Sequence, residues 1–262
     1  MRHGRLSVLV LVTWLPISGR EAWARGRGSP EVLPAPEAIV RVLRNGPEQE
    51  KKRMAELLSF RVPRYARVGA PQVPCSDFDS IDSQSVTLQL PGPQVVLHAV
   101  GQFGCQYDFL AILQLEATGW THLGTIPLLS KYRSPKVRFI SLVSSAEKDI
   151  VVNDNTVDYG TGIFQRDMTV WALVGSRLEI VFDEIENLTF AVGVRKNGEF
   201  GNTQQSQHSL FTFVPAEGQD APGYRDILEK QVLSDHETTL TRWRLFVWRP
   251  EFGRFVGIPT EQ

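Results

Sequence analysis

The sequence predicts a mainly β protein of antiparallel sheets, with a short N-terminal helix pair and one late helix. From Val86 onward, short apolar runs alternate with turn signals, which is typical of strands. Several of these runs are rich in Val, Ile and aromatic residues, and such residues favour strands. Between residues 36 and 61, in contrast, apolar residues recur at helical spacing.

The first residues have the three parts of a secretory signal peptide. The opening MRHGR is basic, Leu6–Leu15 is apolar, and the A-W-A of residues 22–24 is a cleavage pattern. The apolar run is too short for a membrane span, which needs roughly 20 residues. We therefore predict a signal peptide over residues 1–24, with cleavage between Ala24 and Arg25.

The composition of the chain argues against a membrane span and against a nucleic-acid partner. After the signal segment, no run approaches the roughly 18 unbroken apolar residues of a spanning helix, so we expect a soluble chain without a membrane span. The chain has 28 Lys and Arg against 29 Asp and Glu, whereas a nucleic-acid-binding protein would be clearly basic. No nucleic-acid partner is therefore expected. The predicted location is periplasmic or extracellular.

Two cysteines, Cys75 and Cys105, are present in the whole chain. An even number of cysteines in an exported chain favours a disulfide. The alternatives are two buried free thiols or a metal pair, but two cysteines without a nearby histidine make a poor zinc site. We predict a disulfide between these two residues.

The N-terminal part of the mature chain divides into a linker and a helix pair. Residues 25–35 are rich in Gly, Pro and charge, which predicts a loose linker. A helix pair is predicted over residues 36–62, because Pro36 can begin a helix and Asn45-Gly46 is a stop signal. The antiparallel β domain is predicted over residues 75–262.

A hairpin is expected at Gly175-Ser176, because a two-residue loop with Gly first fits a tight turn. It would pair Val170–Val174 with Arg177–Phe182. Apolar and charged residues alternate in the second strand, which predicts one buried face. That face would consist of Leu178, Ile180 and Phe182.

Further elements follow toward the C-terminus. Asn197-Gly198 marks another hairpin. Tyr224–Leu233 is predicted as one surface helix. Apolar alternation beginning at Trp243 predicts a last strand, and residues 252–256 are expected to fold back on it.

One stretch carries a family resemblance. Residues 135–183 read PKVRFISLVSSAEKDIVVNDNTVDYGTGIFQRDMTVWALVGSRLEIVFD, which places a polar turn before DIVV and a Gly-Thr-Gly turn after it. This order resembles one blade of an FG-GAP/VCBS-type, integrin-like β-propeller. The resemblance implies a partly propeller-like arrangement of the sheets. A sandwich or a barrel is equally compatible with the pattern of strands.

The resemblance does not carry a metal site with it. Blades of that kind often have a calcium loop of alternating acidic residues before the DIVV-like strand, here Ser144–Asp149. Only Glu147 and Asp149 are acidic in it, and Lys148 opposes a cation. A second candidate loop, Asn153–Asp158, lacks the alternating oxygens and the Gly of a calcium loop. We therefore expect no metal and no cofactor.

The common catalytic motifs are absent, so no catalytic residue is predicted. The chain has no G-x-S-x-G nucleophile motif and no dinucleotide or phosphate-loop glycine pattern. Ser145–Lys148 matches S-x-x-K but lies in a predicted turn. His236-Glu237 begins like a zincin motif, but Leu240 stands where the second His is required.

A dispersed site is the remaining route to catalysis. His98 and His122 fall in predicted strands, where core histidines are expected, but they could meet in space with Asp108. Paired carboxylates can also cleave glycosides, although turns collect Asp for structural reasons. The acidic clusters are Asp77, Asp79 and Asp82, then Asp154, Asp158 and Asp167, then Asp183, Glu184 and Glu186. An exported hydrolase with such a site is the alternative hypothesis.

The leading hypothesis is a non-catalytic binding or scaffold module whose partner is a protein or a carbohydrate. The many β turns offer a surface, and the catalytic motifs are missing. Trp243 and Trp248 fall out of phase in the last strand, so one of them is expected to be exposed. An exposed tryptophan is a feature of sugar-binding faces.

Overall fold

The structure is a computed structural model that describes residues 32–61, 74–102, 105, 107–130, 134–158, 163–196, 199–216, 225–234 and 238–259. The predicted signal peptide and its cleavage point between Ala24 and Arg25 lie outside these residues. Within the described ranges, no helix is long and apolar enough to cross a membrane. The described chain is mainly β, with two helices and two antiparallel sheets, which confirms the predicted fold class.

Two short helices, α1 over Pro36–Asn45 and α2 over Glu48–Leu57, confirm the predicted helix pair. Pro36 suits the first turn of α1, where a backbone N–H has no helical partner. Ile39 and Leu43 of α1 are buried against the first sheet. Because ten-residue helices are marginal alone in water, this packing is what stabilises them.

The residues just before α1 also belong to the folded structure. Leu33 is buried, and its backbone N–H donates to the carbonyl oxygen of Trp120 over 2.8 Å. Of the predicted linker, residues 25–35, the structure describes residues 32–35, and Leu33 binds this part to the first sheet. Residues 25–31 lie outside the described ranges.

The first sheet has four antiparallel strands in chain order. They are β1 (Phe78–Val86), β2 (Gln94–Gly101), β3 (Tyr107–Glu116) and β4 (Gly119–Leu129). Residues 107–113 of β3 are all buried because both faces of the strand are covered. Phe109 and Ala111 face the helices, while Leu110 and Ile112 face the second sheet.

The second sheet has eight antiparallel strands, again in chain order from one edge to the other. They are β5 (Lys136–Ile140), β6 (Asp149–Asp158), β7 (Ile163–Val174), β8 (Arg177–Lys196), β9 (Glu199–Pro215), β10 (Arg225–Ser234), β11 (Thr239–Arg249) and β12 (Arg254–Pro259). The pairing of β11 with β12 confirms the predicted last strand pair. The hairpin predicted at residues 197–198 is supported by the pairing of Lys196 with Glu199, although its two loop residues lie outside the described ranges.

The hairpin at Gly175-Ser176 is confirmed, since Val174 pairs with Arg177 across it. The expected single buried face is wrong. A bulge in β8 shifts the register between the pairs of Ile180 and Phe182, so the face reverses there. Leu178 therefore packs between the two sheets, whereas Phe182 packs in a different core.

The helix predicted at Tyr224–Leu233 is wrong, because this segment forms β10. Its buried residues alternate, as they do in a strand with one covered face. They include Ile227 but also Glu229 and Gln231, whose polar side chains conceal the two-residue period in the sequence.

The second sheet folds over itself, so that β5–β8 and β9–β12 enclose a core. The ring of Phe182 on β8 meets the rings of Phe211, Phe246 and Phe255 edge to face, with centroids 5.0 to 6.1 Å apart. The described elements therefore stack as four layers: helices, first sheet, β5–β8 and β9–β12. Apolar cores lie between successive layers. The β9–β12 layer ends the stack.

A disulfide joins the two cysteines, as predicted, and their Cα atoms are 5.8 Å apart. Cys75 precedes β1, and Cys105 lies between β2 and β3. The bond therefore links the start of the first sheet to one of its turns.

Candidate functional site

The outer face of β9–β12 is the surface of the terminal layer that points away from the core. Strand register places Leu210, Lys230 and Trp243 in one row across β9, β10 and β11. Leu245 and Ile258 face each other in the next row. The name outer face covers Leu210, Thr212, Val214, Asp226, Leu228, Lys230, Thr241, Trp243, Leu245, Val247, Arg249, Arg254, Val256 and Ile258.

Large apolar side chains are exposed on this outer face. Leu210 is 60% exposed, Trp243 46% and Ile258 37%, and none of the three cores includes them. Trp248, out of phase on the same strand, is buried, which confirms that one tryptophan of this pair is exposed. Contiguous exposed apolar residues on a sheet make this face a candidate binding surface.

The exposed charges of the outer face are positive. Lys230, Arg249 and Arg254 are exposed, whereas the acidic residue on this face, Asp226, is buried. The ammonium of Lys230 lies 5.7 Å from the ring centroid of Trp243, within the range of a cation–π contact. Arg249 and Arg254 lie directly opposite each other on neighbouring strands. The surface is therefore both apolar and basic.

A buried ion pair lies beneath the outer face, on the core side of the same strands. The guanidinium of Arg244 on β11 donates to Glu229 on β10 and, over 2.9 Å, to Glu184 on β8. Burial raises the pKa of Glu184, although Arg244 acts in the opposite direction. Burial alone would lower the pKa of Arg244, but the two carboxylates outweigh it and the net direction is upward.

This ion pair joins two strands that are not neighbours in the second sheet. Strands β8 and β11 are separated by β9 and β10 in the sheet, so their side chains can meet only where the sheet bends inward. Arg244 therefore links β11 to β8 across the bend of the second sheet.

Of the three residues that could have formed a histidine site, His98 and Asp108 lie close together, whereas His122 lies apart from them. Nε2 of His98 lies 4.0 Å from Oδ2 of Asp108, on the side of the first sheet that faces the second. His122 lies on the opposite side of that sheet, where its Nε2 is 2.8 Å from Oγ1 of Thr125. Burial lowers the pKa of His98 and raises the pKa of Asp108, so it disfavours the charged form of each. The hydroxyl of Ser130 bonds to Asp108.

Such an arrangement differs from that of a serine hydrolase. A serine nucleophile needs a histidine beside its hydroxyl, with the carboxylate on the far side of the imidazole. Here the carboxylate of Asp108 lies between the hydroxyl of Ser130 and the ring of His98. The acidic clusters named from the sequence are spread over several elements: Asp77 just before β1, Asp79 and Asp82 on β1, Asp154 and Asp158 on β6, Asp167 on β7, and Asp183, Glu184 and Glu186 on β8.

The two carboxylates of the first candidate calcium loop accept bonds from the backbone. One oxygen of Asp149 accepts from the N–H groups of Leu142 and Val143, over 2.9 and 3.1 Å. Glu147 accepts from the N–H of Leu90 over 2.9 Å. Both side chains therefore serve turns and chain crossings.

The second candidate loop, Asn153–Asp158, is not a loop, because it forms part of β6. The side chain of Asn153 accepts from Arg138 over 2.7 Å and donates to Glu186 over 3.1 Å. Over the described ranges, no group of three or more His, Cys, Asp or Glu residues could hold a metal ion.

Replacing Asp149 with Asn is expected to stabilise the protein at pH 8 by about 3 kcal/mol and to leave it nearly unchanged near pH 4. Burial raises the pKa of Asp149 from 3.8 to about 6. The folded state therefore binds the proton more tightly, and this contribution to stability is lost as the pH rises through about 6. Asn keeps an oxygen for the two N–H groups without the buried charge.

Urea unfolding of both proteins between pH 4 and pH 8 measures this effect. Asp149→Ala is the control, since it removes the acceptor and should destabilise the protein at every pH. A constant difference between Asp149→Asn and the parent protein across that range would contradict the assignment.

Comparison with known proteins identifies no relative of this chain and so gives no further information on the candidate site. The resemblance of residues 135–183 to a propeller blade therefore stays a prediction. Strands β5–β7 and the first part of β8 lie within that segment, and the sheet continues beyond it to β12. No protein-family model, curated protein or solved structure matches this chain.

Proposed function

We propose that this chain is an exported, non-catalytic binding module and that the outer face of β9–β12 is its binding surface. The observation that carries the proposal is the exposure of Leu210, Trp243 and Ile258 on a sheet face that no described element covers. Sheets with an apolar face ordinarily bury it against another layer. A bound partner supplies that layer.

Export is supported by the first residues of the sequence and by the disulfide. The signal-like segment over residues 1–24 predicts secretion. A disulfide such as Cys75–Cys105 persists mainly in oxidising compartments.

A hydrolase is the second candidate, and the contact of His98 with Asp108 is the observation in its favour. The described hydroxyl nearest to this pair bonds to the carboxylate and not to the imidazole. The proposed role is therefore binding.

Ligand selection on the intact mature protein tests the proposal. The probes are a phage-displayed random peptide library and an array of neutral and acidic glycans. We expect the recovered ligands to bind at least ten times more weakly to Trp243→Ala and Leu210→Ser than to the parent protein, since both changes remove apolar contact area from the outer face.

Leu115→Ser is the matched control, because Leu115 is also 60% exposed but lies in the first sheet. It should leave the affinities unchanged. The proposal fails if no ligand is recovered from either library, or if the two outer-face variants bind the ligands as well as Leu115→Ser does.

A further inference from the structure

The exposed cations of the outer face form no ion pair with a described carboxylate, and the acidic residue on the same face, Asp226, is buried. Among the described residues, neither Lys230, Arg249 nor Arg254 has a carboxylate within ion-pair distance. Like charges that lie directly opposite on paired strands destabilise a sheet, and Arg249 and Arg254 have this arrangement. An anion bound beside them would remove the repulsion.

The dimensions of the outer face fit a short segment of chain. Trp243 and Arg249 lie at either end of a stretch of β11 that is roughly 20 Å long, at about 3.4 Å per residue. Four strands spaced about 4.8 Å apart give a width of roughly 19 Å. The projected area is therefore roughly 400 Å², about half of what each partner buries in a stable protein interface.

A second copy of the chain fits this face poorly. Two copies packed face to face would each bring three exposed cations and only one carboxylate, the buried Asp226, to the interface, which costs free energy. The area is also below what a stable dimer of folded proteins requires.

A glycan also fits less well than a peptide. Sugar sites combine a ring platform with several placed hydrogen-bonding groups. Near Trp243 the polar groups are the ammonium of Lys230 and the hydroxyl of Thr241, whereas Leu210, Leu245 and Ile258 offer apolar contact alone. Aliphatic side chains of a partner are the groups that match them.

We propose that the outer face binds an acidic amphipathic segment of another protein. This choice of partner rests on the proposed function, in which the outer face is a binding surface. Apolar side chains of the segment pack on Leu210, Trp243 and Ile258, and its carboxylates pair with the basic residues. A helix of about 14 residues is roughly 21 Å long, which matches the distance from Trp243 to Arg249.

Two defined probes test the chemistry of the partner. One is a fluorescein-labelled helical peptide of about 18 residues with Leu on one side and Glu on the other, and the second has Lys in place of every Glu. Fluorescence anisotropy with the full mature protein measures both affinities. We expect the Glu peptide to bind at least ten times more tightly than the Lys peptide.

Charge reversal provides the decisive comparison. In Arg249→Glu/Arg254→Glu, the preference should change to the Lys peptide. In the control Arg41→Glu/Arg177→Glu, which changes exposed arginines outside the outer face, the Glu peptide should remain the tighter ligand. Trp243→Ala should weaken the Glu peptide at least fivefold without reversing the preference.

Other outcomes overturn the partner class without overturning the binding module. Equal affinity for the two peptides, or a preference that charge reversal leaves unchanged, excludes an acidic segment. Trp243-dependent binding to phosphatidylglycerol vesicles or to an acidic glycan, with no peptide bound, assigns the face to that ligand instead. Dimerisation in sedimentation experiments that is lost in Trp243→Ala assigns it to a second copy. If neither peptides, vesicles nor glycans bind, the proposed function fails as well.

Discussion

Replacing Arg244 with Met is expected to lower the free energy of unfolding at pH 7 by about 3–5 kcal/mol. The side chain of Glu229 is wholly buried, and the guanidinium of Arg244 is the cation that contacts it. Without that cation a charged carboxylate remains in the core. Glu184 contributes less to the loss because its side chain is partly exposed and can reach water. Urea unfolding followed by circular dichroism measures the change.

Two further variants separate the ion pair from the general effect of losing an arginine. Arg249→Met removes an exposed arginine from the same strand and should change stability by less than about 0.5 kcal/mol. Glu229→Leu/Arg244→Met removes both buried charges and should recover most of the loss, because an apolar pair can replace a buried ion pair. Equal destabilisation by Arg244→Met and Arg249→Met would show that the ion pair does not stabilise the layer.

Reducing the disulfide is expected to lower the free energy of unfolding by about 3–4 kcal/mol. Cys75 and Cys105 are separated by 30 residues, so the bond restricts a sizeable loop in the unfolded chain. The midpoint of urea unfolding should therefore fall when a reductant is added. Identical midpoints with and without reductant would contradict this expectation.

Cys75→Ser/Cys105→Ser is the control for the reductant. The variant should unfold at the lower midpoint under both conditions, which would show that the reductant acts through this bond. The disulfide belongs to the first sheet, whereas the outer face belongs to the last layer. A folded reduced protein should therefore keep its affinity for an outer-face ligand.

Local patterns in the sequence predict the elements whose signals do not depend on distant residues. The proline at position 36 and the Asn45-Gly46 stop signal suffice to predict the helix pair. Gly175-Ser176 likewise predicts its hairpin, since a two-residue loop fixes which residues pair across it.

The element that the sequence does not predict is β10, and the reason is physical. Glu229 and Gln231 occupy buried positions of this strand, where a sequence pattern normally has apolar residues. Their burial depends on Arg244, which lies on the next strand, and on the inward bend toward Glu184, 60 residues away from Arg244. Without those partners, RDILEKQVLS resembles an amphipathic helix.

The candidate surface could be predicted only in part. The alternation around Trp243 indicates that one tryptophan of the last strands is exposed. Leu210 joins it only because β9, β10 and β11 pair in a register that places the two residues in one row. Which sheet face remains uncovered depends on the stacking of layers, and residue spacing does not encode it.

The strictly consecutive order of the strands has a consequence for assembly. From β6 onward, each strand of the second sheet pairs with the strand that precedes it in the chain. The sheet can therefore grow by one strand at a time, in the order in which the strands are synthesised. Such neighbour-by-neighbour pairing closes only short loops and keeps the entropic barrier to each addition low. Strands β9–β12 come last in this sequence of events. The surface that would capture a partner is consequently completed only after β5–β8, on which β9–β12 pack, have paired.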